Sequence, residues 1–124
     1  MADFVAGEIL SAANLNAALE NLQANDQSGA TYTLAIGDAG EVVSFSNSGS
    51  AVTVTVPPNS SVAFATGAVI GLYAASTAVV TVAAGSGVTV SAYGSANKIV
   101  GQYAMGVLWK TGTNAWTLGG AVTS

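Results

Sequence analysis

The stretch Val52-Thr53-Val54-Thr55-Val56-Pro57-Pro58 decides the class of this fold. Valine and threonine alternate without a break, and both are β-branched side chains that suit a pleated surface. Successive side chains of a strand point to opposite faces. Val52, Val54 and Val56 therefore share one face, suited to a core, and Thr53 and Thr55 share the other, suited to water. Pro57 and Pro58 stop the run, because proline has no N–H to give to a ladder.

The same period of two extends outward from this strand. On its N-terminal side Tyr32, Leu34 and Ile36 alternate with Thr31, Thr33 and Ala35. Beyond the turn Gly37-Asp38-Ala39-Gly40, Val43 and Phe45 alternate with serines. On its C-terminal side the pattern predicts strands near 62–65, 68–74, 78–83, 88–91, 98–101, 103–110 and 115–118. Thr66-Gly67, Gly85-Ser86-Gly87 and Gly112-Thr113-Asn114 supply the turns between them. Short strands with regular turn signals are the pattern of a sandwich or barrel. The expected fold is mainly β, a jelly-roll-like β-sandwich over residues 31–124.

Residues 1–30 differ in kind. Leu15, Ala18, Leu19 and Leu22 recur at the spacing of one helix face. Ser11 stands at the N-cap and Leu10 can staple onto Leu15, although Asn14 leaves the capping box incomplete. A helix this short is marginal alone in water, so its stripe needs a partner. Asn25-Asp26-Gln27-Ser28-Gly29 reads as a polar linker. The expected organisation is an arm, helix and linker at 1–30 for attachment or trimerisation, through Phe4, Ile9, Leu10, Leu15, Ala18, Leu19 and Leu22. A sandwich domain follows at 31–124.

Charge is scarce: 6% of the 124 residues are charged, with a net charge of −4, against roughly 25% in ordinary domains. All six acids lie in the first third, and the only cations are Lys98 and Lys110. Phosphate recognition needs several Lys or Arg contacts, so nucleic acid is not an expected partner. Weak self-repulsion favours association. Half the residues are hydrophobic, 51%, and most of these are Ala or Val; such small side chains fit faces partly covered by neighbouring subunits. Homo-oligomerisation is therefore expected. Met1-Ala2-Asp3-Phe4 lacks a basic, then apolar, secretory leader, and Gly, Ser, Thr and Pro interrupt every apolar run before membrane-spanning length. The expectation is synthesis in the cytoplasm, no signal peptide and no membrane insertion.

Cysteine and histidine are absent, which removes disulfides, thiolate metal sites and the commonest general base. Ser95-Ala96-Asn97-Lys98 and Lys110-Thr111-Gly112 match two boxes of serine β-lactamases, but they stand nearly adjacent in sheet and turn context, with no S-D-N box. Asp38 and Glu41 flank a tight turn, where aspartate commonly bonds local backbone rather than working as a catalytic pair. No calcium loop and no phosphate loop occurs. No catalytic residue, metal or cofactor is expected, and the chain reads as non-enzymatic. Tyr93, Tyr103, Trp109 and Trp116 have two readings. They supply the few large core side chains, with Trp109 and Trp116 packing across neighbouring strands, or they form a ring platform for a glycan.

Three stretches carry a resemblance. Val52 through Phe64, with the run Pro57-Pro58-Asn59-Ser60-Ser61-Val62-Ala63-Phe64, then Thr66-Gly67-Ala68-Val69-Ile70, resembles a β-domain of tailed-bacteriophage virion proteins. Val107-Leu108-Trp109-Lys110-Thr111-Gly112-Thr113-Asn114-Ala115-Trp116-Thr117-Leu118-Gly119-Gly120 is similar to the close of that domain. Gly7-Glu8-Ile9-Leu10-Ser11-Ala12-Ala13-Asn14-Leu15-Asn16 is similar to an element near the start of phage tail-fibre proteins. The resemblance implies a virion surface protein, usually trimeric, bound to a major capsid or tail protein. With no long shaft and no evident receptor tip, a capsid decoration (cement or head-fibre) role is expected ahead of a short tail-fibre or adaptor subunit. A carbohydrate-binding adhesive module is the reading from another class.

Overall fold

The computed structural model describes residues 25–124. The helical expectation for residues 1–24, with Phe4, Ile9, Leu10, Leu15, Ala18, Leu19 and Leu22, lies outside the described residues. Eleven strands are described: β1 (Asn25–Gln27), β2 (Thr31–Thr33), β3 (Val42–Phe45), β4 (Ala51–Val56), β5 (Val69–Ala74), β6 (Val79–Ala84), β7 (Thr89–Ala92), β8 (Lys98–Ile99), β9 (Met105–Gly112), β10 (Ala115–Gly120) and β11 (Val122–Thr123). They form two mixed sheets, a six-stranded one in the order β1-β3-β5-β9-β10-β7 and a five-stranded one in the order β11-β8-β6-β4-β2. The mainly β expectation holds.

The connectivity differs from a jelly roll, whose strands are antiparallel. The first six strands alternate between the sheets, so that β1, β3 and β5 run parallel in one while β2, β4 and β6 run parallel in the other. Parallel neighbours need a long crossover, often a helix; here the crossover is a strand of the opposite sheet. The result is three stacked coils. Antiparallel strands then extend both sheets, β9 on β5 and β10 on β9 in one, β8 on β6 and β11 on β8 in the other, and β7 ends the six-stranded sheet parallel to β10.

The valine–threonine alternation works as read. Val52 and Val54 lie in register with Val80 and Val82, and all four are buried. Their outward neighbours form a threonine row, Thr31–Thr53–Thr81. From the facing sheet, Val43, Phe45, Ile70, Leu72, Leu108, Trp116 and Leu118 enter the same core. Tyr32 meets Phe45 edge-on across the layers, with ring centroids 6.3 Å apart.

Three local expectations are corrected. Asn25–Gln27 is a strand paired with β3 rather than linker, so the described β unit begins before residue 31. Ile36 leaves the predicted alternation for a 3-10 turn, Ile36–Asp38, and is exposed. Residues 62–65 are irregular, although Phe64 still reaches the core. The Pro57-Pro58 turn diverts this segment: Ser61 and Val62 both donate to the Pro58 carbonyl instead of to a ladder.

Candidate functional site

Only three polar or charged residues are buried among those described: Asp38, Ser44 and Lys110. Asp38 is fully committed. Its Oδ1 accepts from Asn25 Nδ2 at 3.0 Å, and its Oδ2 accepts from the Tyr32 hydroxyl at 2.7 Å and the Ala35 backbone N–H at 2.8 Å. This is the local backbone bonding expected of a turn aspartate, extended to fasten β1 and β2. Burial, followed by the bond to Asp38 and that carboxylate's charge, pushes the Tyr32 phenol up from 10.0 to about 12, against a smaller opposing effect of the Asn25 donor. An unfolded phenol ionises first, so this contribution is complete below pH 10 and is lost as pH rises through 10 to 12. Circular dichroism over that window should show alkaline destabilisation, and Tyr32→Phe should flatten it.

Lys110 is the inward residue of β9, 2% exposed. Its Nζ donates to Asn59 Oδ1 and to the Phe64 carbonyl, both at 2.7 Å, and lies 6.0 Å from the centroid of the Trp116 ring. Asn59 is held in turn by its own N–H, which donates to Asn114 Oδ1 at 2.8 Å. Lys110 therefore pins the long β4–β5 connection to the β9–β10 hairpin. The K-T-G pattern thus begins at a residue whose bonds hold the fold together.

The four late aromatics do not form one platform. Trp116 is core, 2% exposed, with its ring edge-on to Phe64 at 5.4 Å and 87°. Trp109 is 52% exposed, which overturns the core expectation for that residue and its packing against Trp116. Tyr93 is fully exposed just beyond β7, and Tyr103 is 70% exposed just before β9. The separation of the tryptophans follows from a register shift between Ala115 and Trp116, which pairs Trp116 with Lys110 and Thr117 with Trp109. Cross-strand partners share a face, so the two indoles point to opposite sides of the sheet.

Trp109 belongs to an apolar face that sequence reading missed. Three rows cross the outside of the six-stranded sheet: Val69–Trp109–Thr117, Val42–Gly71–Val107–Gly119, and Ser44–Tyr73–Met105. Val69, Met105, Val107 and Trp109 are exposed. No charged side chain stands at these positions; Asp26, paired with Ser44, continues the third row at the β1 edge. The signal was present in Met105-Gly106-Val107-Leu108-Trp109, where apolar residues occupy both parities. A strand with one wet face has them on one.

No enclosed pocket and no cluster of three metal-ligating side chains occurs among the described residues, and none of their helices is long and apolar enough to cross a membrane. No family model, curated protein or solved structure matches the chain.

Proposed function

We propose that this chain is a structural subunit of a bacteriophage virion surface, a capsid decoration protein that acts as a homotrimer bound to the assembled shell. The observation that carries self-association is the uncharged outer face around Val69, Val107 and Trp109. Contiguous exposed apolar surface marks interaction sites, and a face without charge meets a different patch of the neighbouring subunit around a threefold axis without repulsion. The virion setting rests on the resemblance of residues 52–70 and 107–120.

The occupant of this face is a second copy of the chain. The three rows span roughly 400 Å² at ordinary strand spacings, about half of the ~800 Å² that each partner contributes to a standard interface. A shell-bound subunit then stabilises the particle by binding only its assembled state.

Sedimentation of the full chain should show a trimer that Trp109→Lys converts to a folded monomer, because an exposed indole contributes little to the fold and a charge spoils the face. A wild-type monomer together with particles lacking threefold density would overturn the reading. Density for the chain on the tail would select the short tail-fibre or adaptor alternative.

A further inference from the structure

We infer that the ridge of loops bearing Tyr103 is a binding site for a neutral, extended oligosaccharide. Each parallel coil turns from the six-stranded to the five-stranded sheet at the same end of the molecule. This stacks the loops 28–30, 46–50 and 75–78, and the β8–β9 connection 100–104 lies beside the third. At ordinary strand spacing the row is roughly 15 Å long.

Hydrogen bonds stitch the row from loop to loop. Asn47 Nδ2 donates to the Ser28 carbonyl at 2.9 Å, Ser76 Oγ donates to the Asn47 carbonyl at 2.7 Å, and Gln102 Nε2 donates to the Ala75 carbonyl at 3.3 Å. The Tyr103 N–H donates to the Ala74 carbonyl at 2.7 Å. Loops tied in this way lose little freedom on binding, which favours affinity.

Their composition specifies the ligand. The four loops contain Ser, Asn, Gly, Ala, Thr, Gln, Val and one tyrosine, and no charged residue. Serine, glycine and asparagine with a rigid amphipathic ring is the chemistry of adaptable recognition loops. Ser48, Ser50 and Thr77 are exposed along the row and offer hydroxyls to hydroxyls. Tyr103 presents an exposed ring at the end of the row, held at φ +68°. A bulky side chain in the left-handed region is strained, and such strain concentrates at functional sites. A charged ligand would find no counter-charge in these loops. Asp26, which accepts from Ser46 Oγ at 2.9 Å, lies at the border. Tyr93, on the separate β7–β8 connection, is outside the ridge.

The test is a printed array of neutral, sialylated and sulfated glycans probed with the full-length chain, followed by titration of the retained glycans. Retention of neutral glycans is expected, weakened at least tenfold by Tyr103→Ala and unchanged by Tyr93→Ala. Tyr103→Gly relieves the left-handed strain, so it should melt no lower than wild type while losing binding equally. Wild-type sedimentation of these variants separates the site from the assembly face. Failure to retain any neutral glycan, a preference for charged glycans, wild-type binding by the Tyr103 variants, or equal loss in Tyr93→Ala would each overturn the assignment.

Discussion

Trp116→Ala is expected to lower stability by about 3–5 kcal/mol, the range for deleting a buried large aromatic. The ring is the largest fully buried side chain among the described residues, meets Phe64 edge-on and faces the Lys110 ammonium. Its loss opens a void between β10 and the β4–β5 connection, which the flanking strands cannot readily close because Trp116 is paired on both sides, with Val90 and Lys110. Denaturant unfolding provides the measurement. Trp109→Ala, by contrast, should cost less than about 1 kcal/mol in the isolated subunit, as surface substitutions generally do. If the two changes had equal cost, the division of the indoles between core and surface would be wrong.

Lys110→Ala should cost a similar amount, about 3–5 kcal/mol. It leaves the buried Phe64 carbonyl without its donor, at ~1–3 kcal/mol, takes the partner from the half-buried Asn59 Oδ1, and empties the space of the stem. Lys110→Met restores most of that volume without the bonds and should lie between alanine and wild type. A methionine variant as stable as wild type would mean that desolvating the ammonium cancels its hydrogen bonds, as happens for some buried ions. Because the ammonium and the indole face each other, the Lys110 and Trp116 changes should not add in a double-mutant cycle.

The period-two pattern was legible wherever one face of a strand is wet and the other is core. The alternation of valine and threonine located β4 and the inward face of Val52, Val54 and Val56, and the strands expected at 68–74 and 78–83 fall where β5 and β6 lie. Strand partners were not legible. Alternation reports which face is buried, and it reads the same in parallel and antiparallel sheets when the outer face is threonine and serine. Three stacked coils therefore looked like a jelly roll. The polar edge strand Asn25–Gln27 gave no signal either, because its place depends on backbone bonds to β3 and not on a buried stripe of its own.

The hairpin formed by β9 and β10 marks where sequence reasoning stopped. Its strands, its turn and the burial of Trp116 follow from side-chain type and glycine placement. The face given to Trp109 does not. Pairing continued without interruption from Ala115 and Gly112 would put both indoles on one side of the sheet. The shift of one residue at Ala115/Trp116 sends Trp109 outward and Lys110 inward. A lysine is tolerated there because Asn59 and the Phe64 carbonyl, supplied by a connection about fifty residues earlier in the chain, satisfy its ammonium. Composition and periodicity are local and carry strand, turn and core propensity. A one-residue register shift and its distant hydrogen-bond acceptors exist only once the chain has closed on itself, and they decide which large side chain the surface presents.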